Sequence, residues 1–329
     1  MNIKNSQFLS PCTEESITVA AAHLLSGDLV AFPTETVYGL GADACNSIAV
    51  ARIYEAKGRP ADHPLIVHIA TMDRMGEWAQ EVPEYAIELA RGFWPGPMTL
   101  VLKRSELAGD FITGGQNTVG VRVPDHAVAL GLLAAFEKVG GKGVAAPSAN
   151  RFGHVSPTNA AAVVEELGKH LTKEDLVLDG GPCNVGVEST IIDCTGASPR
   201  ILRPGAISEL MIEECTGLPV LAGNLLTKGA EDIRVSGSLE IHYAPAAKVF
   251  LNQSPVPGQG FIADSSIKTP EGVIRLASPN NDEEYARVLY SALRAADAKG
   301  LSEVVVIQPI GAGIAVAIRD RLARAAKGR

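Results

Sequence analysis

Residues 28–41 read DLVAFPTETVYGLG, a largely apolar run followed at once by a loop rich in polar side chains. The run at 28–32 predicts a buried strand, because short apolar stretches bounded by turn residues are typical of strands in α/β sheets. The loop carries two threonine hydroxyls, a carboxylate and a phenol. Loops at strand ends often bind ligands in α/β proteins, although a simple hydrogen-bonded turn explains the same residues equally well.

Short apolar runs and amphipathic stretches alternate outward from this segment to about residue 215. Strands are predicted at 28–32, 65–69, 98–103, 118–123, 143–146, 176–179, 190–194 and 200–203. Helices are predicted at 16–26, 47–57, 83–92, 125–136, 158–169 and 207–215. A cap at Asn46 or Ser47 supports the second helix, and Pro157 suits the start of the fifth. The pattern predicts an α/β fold without fixing the strand order.

A second alternation begins after residue 245. It predicts strands at 248–251, 260–263, 272–275 and 303–307, and helices at 282–298 and 315–326. Strands that alternate with helices at this spacing indicate a small parallel sheet covered by helices. The sequence therefore predicts a first domain at 1–214, a linker at 215–245 and a second domain at 246–329.

Composition and charge exclude several classes of protein. The 329 residues are 46% hydrophobic, and the net charge of −8 falls entirely within residues 1–210. Because tight nucleic-acid binding needs a broad basic face, we expect none. The five cysteines form no Cys-x-x-Cys pair, and no apolar run reaches the length of a membrane span. With no signal peptide either, we expect a cytoplasmic protein that has reduced thiols, no metal site and no membrane contact.

Two glycine patterns imitate the fingerprint of dinucleotide-binding folds. Residues 39–44 read GLGADA, and residues 311–313 read GAG. Six residues separate the first pattern from its strand, and no acidic residue ends the strand that follows. A fingerprint needs both features, so we interpret these residues as turn glycines beside the backbone.

Cations collect near the ends of the predicted elements. Lys57 and Arg59 flank a glycine at a helix end, where positive charge is favourable in itself and where two cations can also converge on one anion. Arg122 shares one face of its strand with Thr118, and arginine is rarely buried without a partner. His68 lies in an apolar strand, where a histidine is more often a core residue than a ligand.

Later strand ends add short polar side chains. Ser148 and Asn150 follow one predicted strand, Ser189 precedes another, and Arg203 ends the last. Ser148 lacks the Gly-x-Ser-x-Gly context of a hydrolase nucleophile, and no nucleophile–base pair is evident. A cleft of cations and hydroxyls suits adenylation, which depends on charge neutralisation and in-line positioning.

Eight segments, in this order, resemble the threonylcarbamoyl-adenylate synthase family in its longer, two-domain form. They read PTETVYGLG (33–41), KGRP (57–60), HPL (63–65), FWPGPMTL (93–100), VRVP (121–124), APSAN (146–150), EST (188–190) and ILRPG (201–205), and HYAP (242–245) follows. The resemblance implies a YrdC-like catalytic domain, which is a twisted, largely parallel sheet with a concave binding face. It also implies a smaller Rossmann-like C-terminal domain.

Enzymes of the family join L-threonine, bicarbonate and ATP into threonylcarbamoyl-AMP and release pyrophosphate, which is a nucleotidyl transfer. Downstream tRNA-modifying proteins use the product as the source of the threonylcarbamoyl group of threonylcarbamoyladenosine. The resemblance implies that Lys57 and Arg59 are catalytic and hold the ATP phosphates. It also implies that the nucleotide is bound by His63, Thr118, Ser148, Asn150, Ser156, Arg203 and Tyr243. Tyr243 would belong to a linker that closes over the cleft. The resemblance assigns to threonine Thr36, His68, Arg122, Ala146 and Ser189. Mg²⁺ is expected with ATP, held by phosphates and water.

The sequence departs from the family pattern at one point, and two other functions stay open. Long-form relatives carry a basic stretch before HYAP, whereas residues 235–241 read VSGSLEI, which leaves linker contacts to phosphate open. The alternative function is an RNA-binding module on the same concave fold, served by a local patch that includes Arg52 and Arg74. A carbamoyl-transfer or hydrogenase-maturation enzyme is a third, which the absence of zinc-finger cysteines disfavours.

Overall fold

The computed structural model describes residues 8–221, 233–237 and 243–328. Within these ranges, ten strands form one large sheet and four form a second, smaller sheet. Helices connect and cover both sheets. The predicted α/β class is therefore confirmed.

The large sheet is mixed in strand direction. Its strands are β1 Leu9–Pro11, β2 Val30–Phe32, β3 Gly39–Asp43, β4 Ile66–His68, β5 Met98–Lys103, β6 Thr118–Arg122, β7 Val144–Ala145, β8 Leu176–Asp179, β9 Thr190–Asp193 and β10 Arg200–Arg203. Their spatial order is β1-β8-β2-β3-β7-β4-β6-β5-β9-β10. The pairs β1–β8, β2–β8, β4–β6 and β5–β9 are parallel, and the other neighbours are antiparallel.

Helices cover this sheet on both faces. They are α1 Glu14–Ser26, α2 Ser47–Lys57, α3 Met75–Trp78, α4 Glu84–Phe93, α5 Asp110–Thr113, α6 Ala127–Lys138, α7 Ala160–Leu167 and α8 Glu209–Thr216. Leu24 of α1 and Leu132 of α6 pack against Phe32 on one face. Ile53 of α2 packs in the main core with Leu100 on the other. The sheet is thus a rigid platform between two apolar layers.

Helix ends follow local capping chemistry. The Asn46 side chain accepts hydrogen bonds from the first backbone N–H groups of α2, as predicted, and α2 ends where Gly58 adopts φ 61°. The predicted start of the fifth helix at residue 158, directly after Pro157, is wrong, because Asn159 caps α7 and the helix begins at Ala160. The Asn159 side chain accepts from the N–H of Ala162, which a proline ring cannot do.

The predicted glycine loop at 39–44 is also wrong, since residues 39–43 form β3. This strand pairs antiparallel with β2, so Phe32 lies opposite Gly39. A Cβ on Gly41 would lie 2.7 Å from Val144 Cγ1 and 2.9 Å from the Phe32 ring. Glycine stands there because neighbouring strands leave no room for a side chain, not because a turn requires it.

The second domain is a parallel sheet with two covering helices. It contains β11 Lys248–Leu251, β12 Gly260–Ile262, β13 Ile274–Ala277, α9 Asp282–Ala298, β14 Glu303–Val306 and α10 Ile314–Ala325. The strand order is β11-β14-β12-β13. The strand predicted at 272–275 begins two residues later, because Gly272 has φ 76° and turns the chain. Leu289 of α9 and Ile318 of α10 are fully buried in its core.

The two domains share one buried apolar cluster. Val37, Val155 and Val187 of the first domain pack in the same cluster as Tyr243 and the core of the second. The linker predicted at 215–245 falls partly outside the described residues, which omit 222–232 and 238–242, including the histidine of the HYAP segment. The domain boundaries therefore stay a prediction. No helix in the described part of the chain combines the length and apolarity that a membrane crossing requires.

Candidate active site

A cleft with about 530 Å³ of empty space opens over the large sheet. Its walls are the loop after β2, the ends of β4, β6 and β10, the loop after β7, the segment before β9 and two parts of the linker. Nine of the predicted site residues line it, namely Thr36, Arg59, His68, Arg122, Ala146, Ser148, Ser189, Arg203 and Tyr243.

Mixed strand directions explain why distant segments meet in this cleft. Because β4 runs antiparallel to β7, His68 pairs with Val144 while the N–H of Ala146 donates to the carbonyl of Ile66. Because β4 is parallel to β6, His68 also lies beside Arg122. The arrangement brings a histidine, a guanidinium and a small-residue loop to one place.

Arg122 is buried and carries an ion pair. Its Nη2 lies 2.7 Å from Glu35 Oε1 and donates to Thr36 Oγ1 at 2.9 Å. Both carboxylate and guanidinium are almost inaccessible to solvent. A buried charge needs such a partner, and Glu35 provides it.

The loop that opens the sequence is both a hydrogen-bonded turn and a wall of the cleft. Thr34 Oγ1 contacts Thr36 Oγ1 at 2.8 Å, donates to the carbonyl of Val37, and accepts from backbone N–H groups of the same loop. These bonds fix the Thr36 hydroxyl toward Arg122. The two interpretations of this loop are therefore compatible.

His68 is a buried side chain that also faces the cleft. Burial, and next the charge of Arg122, lower its pKa to about 3. The ring packs edge-on against Phe32, with centroids 6.0 Å apart. At neutral pH His68 is thus an uncharged imidazole between an aromatic core residue and the open cleft.

Arg203 and Ser189 form the wall on the β9–β10 side. Arg203 Nη2 donates to the carbonyl and to the hydroxyl of Ser189, at 2.9 Å and 3.0 Å. Its Nη1 donates to the carbonyl of Ser236 in the linker at 2.9 Å. Thr99 contacts the Ser189 hydroxyl from β5 at 2.8 Å. The serine hydroxyl is therefore held by strands and linker together.

Arg59 and Arg203 bring surplus positive charge to the cleft. Arg59 Nη2 donates to the carbonyl of Pro64 and to the hydroxyl of Ser236. Among the described residues, no carboxylate lies within ion-pair distance of either guanidinium. Burial lowers the pKa of Arg59 to about 10 and also lowers the pKa of Arg203. Buried cations without a carboxylate in direct contact favour an anionic ligand.

Lys57 lies next to the cleft but does not line it. Its Nζ donates to the backbone carbonyls of Ser148, at 2.6 Å, and Asn150. Burial, and next the charge of Arg59, lower the pKa of Lys57 well below its usual value. In this arrangement Lys57 fixes the loop after β7, and its predicted contact with phosphate stays a prediction.

The other predicted residues surround the cleft. Thr118 lines a neighbouring cavity of about 300 Å³ that shares Ser236 with the cleft. His63 packs edge-on against the ring of Phe152 at 5.5 Å. The Asn150 amide donates to the carbonyls of Arg151 and His154, and the Ser156 hydroxyl donates to Glu188.

Four residues that the sequence interpretation did not select matter here. Glu35 and Glu188 lie inside the quoted segments, and a search for counter-ions of the buried arginines would have found them. Burial alone would raise the pKa of Glu188, but Arg321 and Arg203 hold it at about 2. Ser236 and Arg321 carry no local sequence signal, because only the fold brings them to the site.

Two family models match the chain. The model described as "Telomere recombination" matches residues 22–205. The model described as "Threonylcarbamoyl-AMP synthase, C-terminal domain" matches residues 207–327. The first match covers more than half of the chain and includes every wall of the cleft except the linker.

Similar proteins carry the same two domains. The threonylcarbamoyl-AMP synthase of Pyrococcus abyssi is 41% identical over 327 residues, covering 95% of this chain and 94% of that protein. The Bacillus subtilis enzyme of the same name is 37% identical over 334 residues, covering 96% and 94%. The crystal structure of P. abyssi Sua5 complexed with L-threonine is 38% identical in sequence and matches with a TM-score of 0.85, covering 97% of both chains.

These relatives support a synthase and not the RNA-binding alternative. They align over nearly the full length of both domains, and they are enzymes by name. Most of the residues that line the cleft lie within the segments by which the sequence resembles that family. The chain belongs to the threonylcarbamoyl-AMP synthase family, in its two-domain form.

Proposed function

We propose that this protein condenses L-threonine, bicarbonate and ATP to threonylcarbamoyl-AMP, pyrophosphate and water. The product would supply the proteins that introduce threonylcarbamoyladenosine into tRNA. The proposal rests on membership of the synthase family and on the chemistry of the cleft. The reaction belongs in the cytoplasm, since the five cysteines are free thiols, which is typical of cytosolic proteins.

The buried guanidiniums of Arg59 and Arg203 are the observation that carries the nucleotide side of the proposal. An ATP phosphate would supply the directly contacting anion that neither guanidinium has among the described residues. Arginine forks suit phosphate oxygens, and a dry cleft strengthens the attraction. Charge that develops at the α-phosphorus would be stabilised by the same groups.

Threonine would bind on the opposite side, at Arg122. The guanidinium already contacts Thr36 and Glu35, and its fork can donate to the substrate carboxylate beside them. Ser189 offers a fixed hydroxyl, Ala146 leaves room for the substrate, and neutral His68 faces the same space. We assign the threonine subsite to these residues.

The chemical steps follow from this placement. The threonine amine must be unprotonated to attack carbon dioxide or bicarbonate, and a dry cleft favours the neutral amine because burial disfavours its charged form. The new C–N bond gives the carbamate, and with bicarbonate the amine proton leaves with the displaced hydroxide as water. The carbamate oxygen then attacks the α-phosphorus in line, and pyrophosphate leaves. We assign no general base.

Mg²⁺ would enter with ATP. Within the described ranges, no three His, Cys, Asp or Glu side chains gather into a possible metal-binding group. The carboxylates of Glu35 and Glu188, which lie nearest to the cleft, each form an ion pair with an arginine. We therefore infer that phosphates and water provide the magnesium ligands. Tyr243, a buried linker residue that lines the cleft, would contact the nucleotide.

The decisive assay is pyrophosphate release from ATP. We expect release to require both threonine and bicarbonate, and to be abolished by Arg59→Ala and by Lys57→Ala, which removes the anchor of the loop after β7. Arg91→Ala is the matched control, because Arg91 is exposed on α4 and its contact with Glu84 is a long one. ATP turnover independent of threonine would disprove the proposal, as would salt-sensitive tRNA binding without any ATP consumption.

A further inference from the structure

The carboxylate of Glu188 joins the two domains directly beside the cleft. Its Oε1 accepts from the Ser156 hydroxyl at 2.6 Å. Its Oε2 accepts from Arg321 Nε and from the Tyr290 hydroxyl, both at 2.8 Å. Arg321 belongs to α10 and Tyr290 to α9, so two of the three partners come from the C-terminal domain.

Arg321 has further contacts with the walls of the cleft. Its Nη2 donates to the carbonyl of Pro204 at 2.9 Å, immediately after Arg203. Its guanidinium lies 5.2 Å from the centroid of the Tyr243 ring, which stacks on Tyr290 at 5.8 Å. Arg321 is only 1% exposed, so one fully buried side chain touches three segments that line or flank the cleft.

These segments carry the groups assigned to the substrates. Glu188 precedes Ser189, and Pro204 follows Arg203, whose guanidinium is bonded to Ser189. The chain at Gly205 packs so closely on β9 that a Cβ there would lie 2.2 Å from the backbone nitrogen of Thr190. A shift at either point of contact with Arg321 would therefore move the Ser189–Arg203 wall.

We propose that Arg321 is a positioning residue of the active site, and that the C-terminal domain sets the geometry of the cleft through it. The guanidinium holds Glu188, Pro204 and the Tyr243 ring in one arrangement, which fixes Ser189 toward threonine and Arg203 toward phosphate. Small displacements of substrate-binding groups cost large factors in rate. This inference rests on the proposed function for its substrates, but the arrangement itself is independent of it.

The test compares variants that weaken this contact by different amounts. Arg321→Met removes the charge, Arg321→Lys keeps the charge but loses the fork, and Tyr290→Phe removes only one hydrogen bond to Glu188. At a temperature far below unfolding, we expect Arg321→Met to lower kcat/KM for threonine by about tenfold or more and to raise the KM for ATP. The lysine variant should recover part of this loss. If Arg321→Met does not fold, the lysine and Tyr290→Phe variants provide the same comparison.

Arg319→Met is the matched control on the same helix. Arg319 donates to the carbonyls of Pro309 and Gly311, within the C-terminal domain alone. The Arg319→Met variant should have a lower thermal midpoint but unchanged KM values for threonine and ATP. Amide hydrogen exchange at residues 187–190, and at Arg203 and Gly205, should accelerate in Arg321→Met and stay unchanged in Arg319→Met, a readout that needs no activity.

Two results would overturn the inference. One is that folded Arg321 or Tyr290 variants keep wild-type kinetic constants and lose only thermal stability. The other is unchanged amide exchange at both segments in Arg321→Lys and Tyr290→Phe. An inactive wild-type protein would instead count against the proposed function, and the exchange data would still decide the role of Arg321.

Discussion

Arg122 differs from the other cleft arginines in having its own carboxylate. The pair with Glu35 neutralises the buried charge while the amino acid subsite is empty, and it orients the guanidinium toward Thr36. Arg59 and Arg203 are bonded to carbonyls and hydroxyls, which orient a cation without neutralising it. This contrast explains why we place a single carboxylate at Arg122 and the more highly charged polyphosphate at the other two.

The fork of Arg122 is tested by Arg122→Lys. Lysine keeps the positive charge but cannot bond Glu35, Thr36 and a substrate carboxylate together, so we expect the KM for threonine to rise about tenfold or more. The control is Arg200→Lys, because Arg200 makes a similarly buried, two-nitrogen contact with Asp193 away from the cleft. Steady-state pyrophosphate release separates the two. Equal threonine KM values in both variants would contradict the assignment.

The buried imidazole of His68 predicts a dependence of stability on pH. Its pKa is about 3 in the folded protein and about 6.5 when the chain is unfolded. Between these values the unfolded state binds a proton that the native state does not, so stability falls as pH falls from about 6.5. From pH 5.5 to 4.5, the wild type should lose about 1.4 kcal/mol more than His68→Gln. Urea unfolding at each pH measures this, and parallel losses would exclude a buried neutral His68.

At the scale of elements, the hairpin of β2 and β3 sets the position of the polar loop. Residues 33–38 are the loop of this hairpin, because Phe32 pairs with Gly39. The carbonyl of Tyr38 accepts from the N–H of Ala149, which ties the loop to the segment after β7. Thr36 and Ser148 thus face one cleft because two antiparallel connections meet there.

Close packing of this hairpin makes Gly41 sensitive to substitution. Gly41→Ala would place a methyl group against Val144 and Phe32, and we expect a loss of about 1–3 kcal/mol of stability. Gly76→Ala is the control, since Gly76 is exposed in α3 and no described atom lies within 4 Å of the position that a Cβ would take. Alanine there should be neutral or slightly stabilising. Equal denaturation midpoints for the Gly41→Ala and Gly76→Ala variants would contradict the crowding of β3 by Val144 and Phe32.

At the scale of the whole molecule, the linker completes the cleft and the second domain supports it from behind. Tyr243 is buried between Arg321 and Tyr290 while it lines the cleft. Gly186, in the segment before β9, lies against the backbone of α9, and its missing Cβ allows the two domains to approach. The geometry of the first domain therefore depends on contacts with the second domain as well as on its own sheet.

This close approach is tested by Gly186→Ala. The new Cβ would lie 2.4 Å from the Cα of Arg287, and Gly186 also has φ 85°. Gly181→Ala is a matched control, because Gly181 has φ 81° but no described atom within 4 Å of its added Cβ. The control should lose only the backbone contribution of about 1–2 kcal/mol. Gly186→Ala should lose more and should also lower kcat/KM. Equal stability and activity of the two variants would argue against tight docking.

Much of the fold could be predicted because its elements are locally encoded. The predicted helix at 47–57 and the strands at 98–103, 176–179 and 200–203 have the bounds that the structure shows. Their caps and apolar periods lie within the segments themselves. The strand β3 could not be predicted in this way, because a glycine-rich strand has no side-chain period and owes its place to crowding by Phe32 and Val144.

The sequence by itself determined the α/β class, the residue types around the cleft and, through eight ordered segments, the family. Only the tertiary structure decided which of those residues face the cleft: Arg59 lines it, whereas Lys57 points to two backbone carbonyls. It also decided the partners of the buried charges, such as Glu188 and Arg321, which are 133 positions apart. The physical reason is that periodicity and capping act within a few residues, whereas burial and ion pairing depend on distances in space that the chain order does not contain.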